Sequence, residues 1–209
     1  MKVINSSYEI IGGIDRESIL SKLELCGRIC YKSEDKIGDF AKTSKFIKSI
    51  VGRGHHSVIE HVSITVKFIT DRAVTHELVR HRVASYSQES QRYINYTKGV
   101  GEVTYVRPCT LMAGSPEHNV WENYCRLAET GYFKMIDMGL APEVARGLLP
   151  NSCKTEIVMT ANLREWVHVL KLRTSNAAHP DIRDLMRRLQ NELSKLLPEI
   201  FEEVADGTV

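Results

Sequence analysis

Arg80-His81-Arg82-Val83-Ala84-Ser85-Tyr86-Ser87-Gln88-Glu89-Ser90-Gln91-Arg92 is the least ordinary run of the chain, and the reading of the whole molecule turns on it. Three nitrogen-rich side chains stand side by side at its start. Adjacent guanidinium groups repel, so a fold holds them together at a cost unless something anionic lies nearby. Hydroxyls at Ser85, Ser87 and Ser90, amides at Gln88 and Gln91, the Glu89 carboxylate and the cation of Arg92 follow. Guanidinium forks together with serine hydroxyls are what a phosphate requires, because planar paired donors and small donors are offered at once. The amides and Glu89 are able to read the edge of a base or a sugar. On composition alone the same run could also be a solvated basic turn.

The rest of the chain narrows the classes open to it. Its 209 residues suffice for one sizeable core or two small ones, and 43% hydrophobic with 26% charged residues is ordinary for a globular protein. A formal net charge of +2 is too small for a nucleic-acid binder, so local clusters must carry any anion binding. No apolar run has the length of a membrane span, and Met1-Lys2-Val3-Ile4-Asn5 has no signal-peptide pattern, which leaves a cytoplasmic location as the expectation. The five cysteines (Cys26, Cys30, Cys109, Cys125 and Cys153) are odd in number and read as reduced packing residues. No repeat, low-complexity tract or linker interrupts the chain, so a single domain spanning residues 1–209 is expected.

Periodicity places the elements. Tyr8 to Ile11 reads as a strand ending at Gly12-Gly13, Asp15 to about Tyr31 as a helix, and Asp39 to Gly52 as a second one. Val62, Ile64, Val66 and Phe68 alternate with Ser63, Thr65 and Lys67, which is the pattern of a half-buried strand. Asp71 then caps a helix running to Arg80, so that the basic cluster falls at its C-terminal end, where the helix dipole favours cations. Ser115-Pro116 opens a helix to about Met138, with Val120, Tyr124, Leu127 and Met135 expected on its buried side. A short helix lies between Pro142 and Pro150, and Thr155 to Thr160 forms a strand. Asn162 caps a helix with Leu163, Trp166, Val167 and Leu170 inward and Arg173 at the edge of the apolar face, partly buried. Pro180 begins the last helix, which Pro198 kinks or restarts.

Four separated segments, in order, resemble the flavin-dependent thymidylate synthases. The run from Arg80 to Arg92 is similar to that family's Arg-His-Arg signature. Gly54-His55-His56-Ser57-Val58-Ile59-Glu60-His61 is similar to its Gly-His segment, Ala145-Arg146-Gly147-Leu148-Leu149-Pro150 to its Ala-Arg segment, and Asn162-Leu163-Arg164 with Leu170-Lys171-Leu172-Arg173 to its second ligand segment. The resemblance implies an α/β fold of α+β type, with helices packed on a mainly antiparallel central sheet, assembled as a homotetramer with shared sites. It implies methylation of dUMP to dTMP with 5,10-methylenetetrahydrofolate as carbon donor and FAD, reduced by NADPH, as hydride source. It places Glu77, Leu78, Val79, Arg80, Gln88, Glu89, Ser90, Gln91, Arg92, Arg146 and Arg173 at the nucleotide. His55, Ser57, Arg80, His81, Arg82, Gln88, Asn162, Leu163, Arg164 and His168 fall at the flavin. Arg173 is the expected catalytic group, polarising the uracil ring as charge develops. In two places the chain departs from the family: His168 stands where an amide is expected, and Gln88 where a carboxylate is common.

Two other classes stay open on the residues themselves. A metal-dependent hydrolase would use His55, His56, Glu60 and His61. In the inverted zinc-protease motif, however, the first histidine stands three residues before the glutamate, and His56 is four before Glu60. No metal is therefore expected. A nucleic-acid module would use Arg80, Arg82 and Arg92, against which the low net charge counts.

Overall fold

The computed structural model describes residues 1–98 and 101–202. Strands β1 (Lys2–Ile4) and β2 (Ser7–Ile11) lead to Gly12 and Gly13, whose φ values of +82° and +67° suit glycine. Helices α1 (Arg16–Cys30) and α2 (Phe40–Gly52) start where the Asp15 and Asp39 carboxylates accept the N–H groups of Ser18 and Lys42. A short 3-10 turn at Glu34–Lys36 lies between them, and a second one spans His56–His61. Strand β3 (Ser63–Asp71) alternates buried and part-exposed residues as its sequence does, and Asp71 then caps α3 (Arg72–Leu78) through the Val74 N–H. Strands β4 (Ala84–Gln88) and β5 (Thr104–Val106) precede α4 (Pro116–Asp137), which Ser115 caps with Pro116 at its first position. After α5 (Pro142–Ala145) and a 3-10 turn at Arg146–Leu148 come β6 (Lys154–Asn162), α6 (Leu163–Arg173), α7 (Pro180–Leu196) and α8 (Pro198–Phe201).

The strands form a four-stranded sheet in the order β2-β3-β6-β4 and a two-stranded parallel pair, β1 with β5. Strands β3 and β6 are antiparallel. Thr65 hydrogen-bonds Thr160 at 2.9 Å and the Leu163 N–H donates to the Val62 carbonyl, so numbers rise along one strand as they fall along the other. This is the mixed helix-and-sheet fold with an antiparallel sheet that the resemblance implies.

Contacts divide the chain into two compact units, each made of three segments. The first takes Met1–Ser7, Phe68–Arg80 and Ser87–Val158, and the second takes Tyr8–Lys67, His81–Tyr86 and the chain from Met159 on. In the first unit Val103, Tyr105, Cys125, Tyr132, Ala145 and Cys153 form the core, with α4 packed against α5. In the second unit α2 packs against α1 and α8, and α6 against α7 and the His56–His61 turn. Glu24 is buried there, yet its carboxylate holds Arg28 and accepts the Thr43 hydroxyl proton, so the charge is compensated.

Several expectations need correction. On α4 the residues facing the core are His118, Cys125 and Tyr132, one every seven positions, whereas Val120, Tyr124 and Leu127 are each more than half exposed. Met135, the fourth residue expected inward, does pack part-buried against this core, so apolarity marked a face of which the core uses only a part. Helix α3 ends at Leu78, with Val79 as its C-cap, so Arg80 lies just beyond the helix. Ala84–Gln88, to which the sequence assigned no element, is a strand and not the solvated turn that composition alone allowed; polar residues with single Ala and Tyr members conceal the alternation. Cys125 and Cys153 are buried as expected, but Cys30 and Cys109 are exposed.

Candidate functional site

In the second unit the site is built on α6. The Asn162 side-chain Oδ1 accepts the Glu165 N–H at 2.9 Å, which fixes where the helix begins. The buried Trp166 indole N–H donates to the Ile64 carbonyl at 3.0 Å and fixes its rotation. The face left outward then carries Arg164, Glu165 and His168. Together with Glu60, Val83 and Asn162 these residues line a cleft of about 400 Å³. Arg164 and Glu60, both in this lining, form an ion pair.

His81 lies against the same helix. Its side chain is 4% exposed, and three α6 groups surround it. The Arg173 Nε–H donates to its Nε2 at 3.0 Å, the Glu165 carboxylate stands 3.7 Å from its Nδ1, and the His168 ring meets it edge-on at 5.9 Å between centroids. From β4 the Tyr86 hydroxyl donates to the His81 carbonyl at 2.8 Å. Burial pushes the His81 pKa down to about 4, and the Arg173 and His168 charges add to the effect. Burial also raises the Glu165 carboxyl above its ordinary value, against a smaller opposing effect of His168, and raises the Tyr86 phenol to about 12.

The ligand atoms of His81, Glu165 and His168 lie within 4.8 Å of one another, close enough for a metal. The Arg173 contact argues against one. It occupies the Nε2 lone pair and sets a fixed cation beside the would-be ligands. Glu60, from the histidine-rich segment, is engaged by Arg164. His55 accepts or donates at Nδ1 with the Tyr31 hydroxyl at 3.1 Å, and His55 and Ser57 are both exposed.

In the first unit the other half of the Arg80–Arg92 run meets α5. The Arg92 Nε is 3.8 Å from the Glu143 carboxylate, and the Arg146 Nε–H donates to the Glu143 carbonyl at 3.3 Å, so both cations converge on one residue. The Ser90 hydroxyl accepts the Arg92 N–H. Glu89 is fixed by Lys154 at 2.9 Å, and Lys154 also holds Glu156. Burial alone would lower the Lys154 pKa, but its bonds to the two carboxylates outweigh burial and raise it. Gln88 points inward, its amide donating to Thr75 at 3.0 Å and Thr155 at 3.4 Å. Gln91 is buried on Cys153. Leu78 and Leu163 are fully buried, which leaves only their main-chain groups for a ligand. Val79, Arg80 and Arg82 are exposed and Glu77 is part-exposed.

Glu165, Lys154 and Glu143 were not singled out from sequence. Each carried a signal: Glu165 stands one helical turn before His168, Lys154 is two residues from Glu156 on a strand face, and Glu143 is one turn before Arg146.

Comparison with known proteins assigns the family. Residues 17–199 match the Thy1 family model, described as thymidylate synthase complementing protein. The chain is 36% identical over 190 residues to a flavin-dependent thymidylate synthase of Geobacter sulfurreducens, covering 88% of this chain and 81% of that protein. It is 32% identical over 197 residues to one of Clostridium tetani, with coverages of 84% and 78%. Its fold is similar to that of a UMP/dUMP methylase, PolB, from Streptomyces cacaoi, solved with 5-Br dUMP. The TM-score is 0.79 and the identity 24%, with 97% and 96% of the two chains covered. The chain belongs to the flavin-dependent thymidylate synthase family.

Proposed function

We propose that this protein methylates dUMP to dTMP, taking the carbon from 5,10-methylenetetrahydrofolate and releasing tetrahydrofolate, with FAD reduced by NADPH as the hydride source. The observation that carries this reading is the family match from residue 17 to 199, which includes all four ligand-like segments. The proposal treats the chain as one synthase domain.

The residues of the α6 cleft fit a flavin. A flavin ring needs an apolar surface and donors at its pyrimidine edge, and its diphosphate needs cations. Val83 offers the first, Asn162 and His168 the second, and Arg164 and Arg82 the third. His55, Ser57, Arg80, Gln88 and the main chains of His81 and Leu163 complete the proposed set, since the His81 side chain is buried on Arg173. When bound, the flavin supplies the hydride that turns the transferred one-carbon unit into a methyl group.

The protein's own task is to make carbon 5 of uracil nucleophilic. Arg173 does so by holding its guanidinium at the ring nitrogen and carbonyl where negative charge develops. A group so used must be held still, and the hydrogen bond to His81 provides this. Arg92, Ser90 and Arg146 hold the phosphate. The exposed Arg92–Glu143 pair is weak, and a phosphate dianion outcompetes the carboxylate for the guanidinium. Glu77, Leu78, Val79, Arg80, Glu89 and Gln91 shape the remaining nucleotide contacts. Attack on the ring by Cys125 or Cys153 is disfavoured, because burial raises both thiols and keeps them protonated.

The same reading makes the protein a cytoplasmic homotetramer with shared sites and no nucleic-acid partner. Among the described residues no helix is long and apolar enough to cross a membrane. The exposed apolar stripe of α4, Val120-Tyr124-Leu127, supports self-assembly.

The visible spectrum of the purified protein tests the cofactor and substrate together. The expected result is a flavin spectrum that changes when dUMP is added. A protein that neither carries nor takes up FAD would overturn the reading.

A further inference from the structure

The interior of the α6 site holds an imidazole whose protonation pattern decides whether it can hold Arg173. His81 is one of the three residues of the basic signature, yet it is buried while its neighbours Arg80 and Arg82 are exposed. Its two ring nitrogens are directed at protein groups. The Arg173 Nε–H donates to Nε2, and the Glu165 carboxylate lies 3.7 Å from Nδ1.

Elementary donor chemistry then fixes the ring. A guanidinium has only donors, so the Nε2 that meets it must carry a lone pair and no proton. The ring proton of neutral His81 is therefore on Nδ1, on the side of the Glu165 carboxylate. A contact of 3.7 Å is long for a hydrogen bond, but at this burial it still favours a proton facing the anion. The opposite tautomer would turn an N–H toward the Arg173 N–H and leave a lone pair facing a carboxylate.

We propose that Glu165 and His81 are positioning residues for Arg173: Glu165 fixes the Nδ1–H tautomer of His81, and the free Nε2 holds the Arg173 side chain at its Nε, orienting the guanidinium for the uracil ring. This rests on the proposed role of Arg173 in dUMP methylation and goes beyond it. It assigns His81, which the family resemblance sets at the flavin, a role toward the arginine, and it gives Glu165 a role in the reaction. The low pKa of His81 agrees, since protonation at Nε2 would break the arrangement. The groups facing the ring are Glu165, His168 and Arg173 of α6 and Tyr86 of β4.

The test joins a readout of the ring to a readout of the reaction. Nitrogen-15 correlation spectra of the histidine-labelled, unmutated protein should show His81 as the neutral Nδ1–H tautomer at pH 7, and Glu165→Leu should add the Nε2–H tautomer in the fraction of molecules that lose the Arg173 contact, whereas a pure Nδ1–H ring in that variant would overturn the role given to Glu165. In kinetics, His81→Leu should lower kcat for dTMP formation by ~100-fold, the scale of a misplaced catalytic group, with the KM for dUMP and the flavin content little changed. His81→Gln, which keeps an acceptor, should recover most of that loss. An Nε2–H or charged His81 in the unmutated protein would overturn the proposal, and that readout holds even if His81→Leu fails to fold. Loss of flavin from folded His81→Leu would also overturn it, by assigning His81 to the cofactor, as would unchanged kcat. If the unmutated enzyme forms no dTMP, the function reading fails instead, and the tautomer result stands apart from it.

Discussion

At the scale of single residues, burial decides which charges are usable. Arg173 is half-buried and tied to a buried ring, that of His81, whereas Arg92, which is exposed, and Arg146, at the end of α5, meet the exposed Glu143. Arg173→Ala should therefore keep bound flavin and lose turnover by ~100-fold or more, as when one fixed donor to developing charge is removed. Flavin absorbance and initial rates, measured on the same sample, check this. His81 carries a stability signature as well. Its pKa falls from 6.5 to about 4 on folding, so the unfolded chain binds the extra proton first as pH drops. Stability is thus intact above about pH 6.5 and declines as pH falls toward 4, by up to about 3 kcal/mol for this group. Melting temperature against pH should show that decline, and His81→Phe should flatten it if it folds. A decline of the same size in that variant would assign it to other groups.

At the scale of elements, caps and strand alternation position the chemistry. Asn162 is both the cap of α6 and a member of the proposed flavin cleft, and the two roles separate by substitution. Asn162→Ala should cost about 1 kcal/mol, or roughly 2–4 °C in Tm, while Asn162→Ser keeps the cap and most of the stability. A lower flavin affinity in both variants would then report the ligand role alone. These caps are the features that the sequence made legible. Asp15, Asp39, Asp71, Ser115 and Asn162 each begin the helix expected of them, because capping is local chemistry. The four ligand-like segments were legible for a similar reason, each being short and continuous. Side-chain partners across segments were not: Glu165 on His81, Lys154 on Glu89 and Arg92 on Glu143 join residues that no spacing rule connects. The buried face of α4 was misread because an apolar stripe signals burial without saying what covers it.

At the scale of the whole molecule, that stripe bears on assembly. Val120, Tyr124 and Leu127 are exposed in the single chain, a poor arrangement in water unless another surface covers it. Light scattering should give four copies of the 23.7 kDa chain, and Tyr124→Asp with Leu127→Asp should lower that mass. A monomer at micromolar concentration would remove the shared-site part of the proposal. The reaction itself is measured by anaerobic turnover. Purified protein is mixed with dUMP, 5,10-methylenetetrahydrofolate, FAD and NADPH, and nucleotide products are resolved by mass, with Arg173→Ala alongside. The expected result is dTMP and tetrahydrofolate in equal amounts, dependent on FAD, from the unmutated enzyme and very little from the variant. No dTMP from a flavin-loaded, folded enzyme would contradict it, and dTMP formed equally well by Arg173→Ala would contradict the role given to that arginine.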